Sequence, residues 1–141
     1  MKKLSKFSNR VVSSVESKWR NRLLTFSEER TKKSASEIVA EGVAKGYNAE
    51  IIEQVVTYIL EYIPKIDGFP INYEDDVLTD YGIDMEDLSD FYRNVFKEIG
   101  VTLPSRQQEE LFLQEYGDGY TVRLVVEYII WVVEGGGEAV N

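Results

Sequence analysis

Residues 80–100 read D-Y-G-I-D-M-E-D-L-S-D-F-Y-R-N-V-F-K-E-I-G, and they predict one amphipathic helix with a sharp start. Asp84 is the expected N-cap, because its carboxylate can accept hydrogen bonds from the free backbone N–H groups of the first turn. Glu86 and Asp87 follow at the positive end of the helix dipole. Gly100 is expected to end the helix, since glycine adopts the left-handed backbone conformation at little steric cost.

The apolar residues of this stretch recur every three or four positions, which places them on one side of a helix. They are Leu88, Phe91, Tyr92, Val95, Phe96 and Ile99. The acidic and polar residues fall on the other side. This pattern predicts a helix that packs its apolar face into a core and turns an acidic face to solvent.

The residue types present limit the chemistry that the protein can perform. The chain of 141 residues is long enough for one domain, and it contains no cysteine and no histidine. It therefore lacks the side chains that most often act as nucleophile activator, general base or metal ligand. We expect a protein that is not an enzyme and that carries neither a cofactor nor a metal.

The start of the chain is basic, but no apolar segment typical of a secretory signal follows it. No apolar run reaches the roughly 18 residues that span a bilayer. We therefore expect a cytoplasmic protein. The alternative is a mitochondrial transit peptide, because the start is rich in serine and poor in acids.

The net charge of −9 is unevenly distributed along the chain. Residues 1–33 hold ten Lys or Arg and three acids, whereas residues 34–141 hold six bases and twenty-two acids. A basic arm on an acidic body suggests that the arm docks on the body or binds a separate ligand.

An apolar stripe runs through this basic arm at helical spacing, through Leu4, Phe7, Val11, Val15, Trp19, Leu23 and Phe26. We expect residues 1–46 to form a basic amphipathic helical extension that is ordered and docked on the body or across a homodimer, with Trp19 shielded. The competing interpretation is contact with an anionic membrane surface. Nucleic acid is disfavoured as a partner, because the acidic body would repel phosphate.

Further helix starts follow from short polar patterns. Ser34 with Glu37, and Ser105 with Gln108, have the spacing of capping boxes, and Asn48 and Thr121 are expected N-caps. The sequence predicts an all-α protein with four helices in residues 47–134 and a flexible tail at 135–141. Residues expected to be buried are Ile38, Val39, Val43, Ile52, Val56, Leu60, Leu88, Phe91, Val95, Leu111, Val125 and Ile129.

A long segment from Pro64 to Tyr81 has the punctuation of a loop. Asp75, Asp76 and Asp80 make this loop acidic, but their spacing differs from that of a calcium-binding loop. We interpret it as a solvated acidic loop and expect no metal site.

From about residue 49 to residue 134, the order of segments resembles that of acyl carrier proteins. Residues 76–82, D-V-L-T-D-Y-G, are similar to the family's D-x-L-x-D-x-G pattern, and T-V-R-L-V-V-E-Y-I from Thr121 resembles its last helix. More narrowly, G-I-D-M-E-D at 82–87 resembles a group of uncharacterised bacterial carrier-like proteins that lack the modified serine. The resemblance implies a four-helix bundle whose acidic second helix binds basic patches on partner enzymes.

The chain departs from carrier proteins at the attachment position, where Met85 replaces the serine that carries phosphopantetheine. Methionine cannot be modified in this way, and the nearest serine is Ser89, one turn further along. We therefore expect no phosphopantetheine. The partner-binding residues that the resemblance implies are Asp84, Met85, Glu86, Asp87 and Asp90.

The favoured hypothesis is a non-catalytic, carrier-like interaction or regulatory module that binds a partner protein with a basic surface. One alternative is an immunity or antitoxin-type protein that neutralises a basic toxin or nuclease, because acids on rigid helices can mimic phosphate. Another alternative is a genuine acyl carrier that is modified at another serine.

Overall fold

The computed structural model describes residues 9–117 and 119–135, with side chains from residue 15 onward. The described residues contain helices and no strand, which confirms the all-α prediction. The helices are α1 (Asn9–Glu28), α2 (Ala35–Ala44), α3 (Ala49–Tyr62), α4 (Met85–Ile99), α5 (Arg106–Tyr116) and α6 (Val122–Val133). An isolated antiparallel bridge joins Asp76 to Thr121.

The predicted helix boundaries are confirmed by hydrogen bonds at the caps. Ser34 and Ser105 each form a complete capping box with the residue three positions later. The side chains of Asn48, Asp84 and Thr121 each accept a hydrogen bond from the backbone N–H three residues further on. Gly100 ends α4 with a φ of 88°.

Helix α3 is central to the packing, because it contacts α2, α4 and α6, while α5 packs on α6. Its buried side includes Ile52, Val55, Val56 and Ile59. The approach of α2 is close at Gly42, where an added Cβ would overlap the Tyr73 hydroxyl and the Cδ1 atom of Ile52. The four-helix arrangement of a carrier protein remains a prediction.

Most of the predicted core is buried, with two errors. Ile38, Ile52, Val56, Leu88, Phe91, Val95, Val125 and Ile129 are buried, and Val39 and Leu60 are half-buried. Leu111 is 39% exposed, because α5 instead turns Phe112 into the core, against Tyr128 and Trp131. Val43 is also exposed, since α2 packs through Ile38 and Gly42.

Helix α1 docks on the rest of the chain through part of its stripe. Leu23 is fully buried, and Trp19 and Phe26 pack against the core, which confirms the docked helix for these residues. Val15 is 60% exposed, so the rest of the chain does not cover this part of the stripe, and its burial across a homodimer remains a prediction. Leu4, Phe7 and the Val11 side chain lie outside the described residues, as does the tail from 136 onward.

The predicted boundary between residues 46 and 47 remains a prediction. Leu23 of α1 and Ile38 of α2 belong to the same hydrophobic cluster as the later helices. Residues on both sides of the boundary therefore contribute to one core.

The connection between α3 and α4 is a packed segment. Phe69, Ile71, Tyr73, Val77 and Tyr81 are buried in it, and Leu78 is half-buried. The expectation of a solvated acidic loop is wrong for Asp75, which is only 5% exposed. Its carboxylate is buried because Arg30, from the chain after α1, pairs with it.

Candidate functional site

Two aspartates shape the turn that leads into α4. Asp76 Oδ1 accepts hydrogen bonds from the backbone N–H groups of Leu78 and Thr79, at 2.8 and 2.9 Å. Asp80 Oδ2 accepts one from the backbone N–H of Asp76 at 2.8 Å. Because both carboxylates bind backbone within the turn, the D-x-L-x-D-x-G pattern has a structural role here: it fixes where α4 begins.

Gly82 follows this turn with a φ of 79°, a backbone conformation that favours glycine. Helix α1 crosses the chain at this point, and Trp19 Nε1 donates a hydrogen bond of 2.7 Å to the Tyr81 carbonyl. A Cβ at Gly82 would lie 2.6 Å from Trp19 Nε1 and 2.8 Å from Arg22 Nη2. The missing side chain therefore lets α1 lie against the start of α4.

The first turns of α4 hold all five of the residues predicted to bind a partner. Asp84 accepts a hydrogen bond of 2.8 Å from the Asp87 backbone N–H, and Asp84 and Glu86 are exposed. Met85 is 51% exposed. Asp87 and Asp90 are half-buried, and Asp90 pairs with Arg93 one turn further along. The helix thus begins with an acidic surface around an exposed apolar side chain.

An open groove of about 290 Å³ lies beside Met85, between α4, α6, and α5 with the chain before it; we call it the α4 groove. Its lining is mainly apolar and aromatic. It comprises Met85, Leu88, Ser89, Tyr92, Arg93, Phe96, Leu103, Pro104, Arg106, Glu109 and Tyr128. Leu103 is 47% exposed and faces the same groove as Met85. Ser89, the alternative attachment serine, is exposed at this groove.

Aromatic rings form the inner part of the groove. The Tyr92 and Tyr128 rings meet edge to face with centroids 5.3 Å apart, and Phe96 meets Tyr128 at 6.1 Å and 88°. Burial raises the pKa of the Tyr128 hydroxyl, and the nearby negative charge of Glu109 raises it further. The Tyr120 hydroxyl has its pKa raised by the same two causes in the same order. These hydroxyls are therefore neutral at physiological pH.

A second polar cluster ties the end of α1 to the loop before α4. Arg30 donates to both Asp75 oxygens at 2.6 and 2.8 Å, and the Tyr81 hydroxyl donates to Asp75 Oδ2 at 2.7 Å. The Asn72 backbone N–H donates to the same oxygen at 3.2 Å. Arg30 also lies 4.2 Å above the Phe26 ring. The Asp75 oxygens are occupied by these donors, which gives this carboxylate a structural role.

Asp75 therefore binds Arg30 and Tyr81, whereas Asp76 and Asp80 bind backbone N–H groups within the turn. Among the described residues, no group of three or more acidic side chains is placed to hold a metal ion.

Comparison with known proteins yields no relative: the chain matches no protein-family model, no curated protein and no solved structure. The resemblance to acyl carrier proteins thus rests on the residues quoted above. In the part of the chain that the structure describes, every helix is too short or too polar to cross a membrane.

Sequence reasoning located the acidic start of α4 but missed the groove beside it. Glu109 and Tyr128 belong to different helices, and the likeness of the last helix to carrier proteins says nothing of a groove at Tyr128. The signal available was indirect, because the exposed Met85 interrupts a run of acids at the helix start.

Proposed function

We propose that this protein is a non-catalytic interaction module that binds a partner protein through the start of α4. The observation that carries the proposal is the composition of that surface. Asp84 and Glu86 are exposed on either side of Met85, and Met85 itself lies at the edge of the α4 groove. A surface of this kind suits a partner with a basic patch that surrounds a side chain able to enter the groove.

Charge supports a basic partner. Residues 34–141 hold twenty-two of the twenty-five acids of the chain and only six of its sixteen bases. Such a body attracts basic proteins and orients them during encounter, whereas it repels phosphate-rich ligands. The helix dipole also stabilises the acids at the N-terminal end of α4, so this acidic surface costs the protein little folding free energy.

Exposed apolar side chains at the same surface also support a binding role. Met85 and Leu103 are 51% and 47% exposed, and both line the α4 groove. Burial of such side chains in an interface is favourable by about 25 cal/mol for each Å² of apolar surface. Methionine also adapts its shape to an incoming surface more readily than a branched side chain does. The acidic residues would then orient the partner as it approaches, and burial of apolar surface at the groove would supply most of the binding free energy.

The test is a quantitative affinity capture from host extract with matched variants. Glu86→Lys reverses one charge of the proposed surface, and Met85→Glu removes its apolar centre. Glu53→Lys makes the same charge change at an exposed position on α3 and serves as the control. Each variant is first checked for an unchanged thermal midpoint.

We expect a protein that is retained by the wild type and by Glu53→Lys and lost with both α4 variants. Purified, that partner should bind more weakly as salt rises, because the screening length falls to about 3 Å near 1 M salt. Partners that bind all variants equally would refute a binding role for α4. Capture of a nuclease or toxin through this surface would identify the module as an immunity protein.

A further inference from the structure

The inner end of the α4 groove contains a carboxylate whose role the fold does not explain. Glu109 is half-buried on α5, one turn after the start of the helix. Among the described residues, its side chain forms neither a hydrogen bond nor an ion pair. A carboxylate held among aromatic rings loses part of its hydration, so an arriving positive charge would stabilise it.

The two arginines that line the same groove each have an acidic partner. Arg93 pairs with Asp90 on α4, and Arg106 Nε lies 3.8 Å from Glu110 Oε2 on the outer side of α5. Both are largely exposed, at 59% and 89% of their side-chain surface. Among the described residues that line the groove, the charged group without a partner is therefore Glu109.

Two tyrosine hydroxyls lie near this carboxylate. Within the described chain, neither the Tyr92 nor the Tyr128 hydroxyl makes a hydrogen bond. No fully buried polar side-chain atom of the described residues lacks a partner, so each of these oxygens keeps some exposure, and both tyrosines line the groove. Each neutral hydroxyl has lone pairs that can accept a hydrogen bond from an N–H donor. The faces of the adjoining rings attract cations as well.

We propose that the α4 groove binds a cationic group at the end of an aliphatic stem, namely a lysine or arginine side chain of the partner protein. The stem would lie along Met85, Leu88 and Leu103, and the charged group would reach Glu109 and the two hydroxyls. The groove's volume of about 290 Å³ is at the lower limit of small-ligand pockets, roughly 300 Å³, and suits a single side chain. This inference deepens the proposed function and rests on it for the source of the side chain.

The site itself is tested with small molecules on the full chain, by backbone amide NMR shifts. The probes share a four-carbon stem and differ at the end: butylguanidinium, butylammonium, butanol and butyrate. We expect the two cations to shift amides around the groove and to bind about five- to ten-fold more tightly than butanol. Equal binding of butanol, or tighter binding of butyrate, would overturn the proposal.

Matched variants assign the effect to Glu109. Glu109→Gln should remove most of the preference for the two cations over butanol. Glu115→Gln removes the same charge from an exposed position of α5 outside the groove and should leave the preference unchanged. Tyr128→Phe keeps the ring and should weaken cation binding about two- to three-fold. A full preference for cations in Glu109→Gln would overturn the proposal.

The partner assay separates this inference from the proposed function. If Glu86→Lys abolishes partner binding and Glu109→Gln leaves it unchanged, the cation site is refuted and the interaction module stands. If the cations bind through Glu109 but no partner depends on α4, the site is supported and the proposed function is refuted.

Discussion

Arg30 and Asp75, which are 45 residues apart in sequence, form a bidentate ion pair with nitrogen–oxygen distances of 2.6 and 2.8 Å. Asp75 is buried in the segment that leads to α4, whereas Arg30 follows α1. The pair therefore holds the N-terminal helix and the acidic helix in one arrangement. Tyr81 adds a third donor to the same carboxylate.

Replacement of Asp75 by alanine should be costly for the fold. Loss of one partner leaves the Arg30 charge without its acid and the Tyr81 hydroxyl without its acceptor, and such losses cost about 3 kcal/mol or more. The free energy of unfolding, measured with urea, gives the value. The control is Glu41→Ala, which breaks the Lys33–Glu41 pair at a carboxylate that is 44% exposed. That change should cost less than about 1 kcal/mol. Equal losses of unfolding free energy in the two variants would contradict a stabilising role for the buried Arg30–Asp75 pair.

Gly82 offers a test of the contact between α1 and the start of α4. Gly82→Ala imposes an unfavourable left-handed backbone, at a cost of about 1–2 kcal/mol, and also drives a Cβ to within 2.6 Å of Trp19 Nε1. Gly100→Ala is a matched control, because its φ is 88° and an added Cβ meets nothing within 4 Å. We expect Gly82→Ala to loosen α1 and Gly100→Ala to leave it in place.

The measurement is the quenching of Trp19 fluorescence by acrylamide, with Trp131 replaced by Phe so that only Trp19 reports. Quenching should be weak in the parent protein and in Gly100→Ala, and stronger in Gly82→Ala. Strong quenching in the parent, with a blue shift on adding anionic vesicles, would instead favour the membrane interpretation of this helix.

Buried tyrosines should make the fold sensitive to alkaline pH. Burial raises the pKa of Tyr73 to about 12 and raises the pKa of Tyr81 and Tyr128 as well. Because the folded state holds these protons more tightly, their contribution to stability is complete below about pH 10 and is lost as pH rises towards the folded values. Each such tyrosine should contribute about 1.4 kcal/mol per pH unit to the decline.

Urea unfolding between pH 9 and pH 11 tests this expectation. Tyr73→Phe removes one titrating group. The free energy of unfolding of this variant should therefore fall less steeply with pH than that of the wild type, by the contribution of one tyrosine. The variant also loses the 2.7 Å hydrogen bond to the Ile38 carbonyl, which lowers its stability at all pH values. An unchanged slope would show that Tyr73 ionises equally in the folded and unfolded chain.

The features that were predicted from the sequence are local. Helix starts depend on a polar side chain and a backbone N–H three residues later, and that spacing can be read directly. The helix end at Gly100 can also be read directly. The buried face of α4 can be read as well, because many apolar residues at helical spacing indicate the same side. Short α5 has adjacent apolar residues at 111–113 and no such redundancy, so its sequence does not distinguish the exposed Leu111 from the buried Phe112.

The features that were missed depend on contacts between distant segments. The Asp75 carboxylate looked solvated, because nothing near it in sequence indicates that Arg30 reaches it. Glu109 and Tyr92 line one groove because α5 packs on α6, and no spacing pattern specifies that packing. The acidic residues of the candidate site could be predicted because they are close together in sequence at the start of one helix. The α4 groove could not be predicted, because its lining comes from several helices.

The attachment position gives the last prediction. Met85 is the first residue of α4, 51% exposed, and follows the Asp84 cap. Incubation with coenzyme A and a broad-specificity phosphopantetheinyl transferase should leave the intact mass of the wild type unchanged, because a thioether cannot accept the phosphoryl group. Met85→Ser places a hydroxyl at the same exposed position. If the likeness to carrier proteins extends to enzyme recognition, this variant should gain the mass of phosphopantetheine.

Ser89→Ala is the control, made in both backgrounds, because Ser89 is the exposed serine one turn away. A gain of mass by the wild type that Ser89→Ala abolishes would contradict the prediction and establish a true carrier modified at Ser89. A gain by Met85→Ser that persists with Ser89→Ala would show that a single residue separates this surface from a carrier site. An unmodified Met85→Ser protein would confine the likeness to the turn and the helix start, where Asp76, Asp80 and Asp84 act on backbone N–H groups.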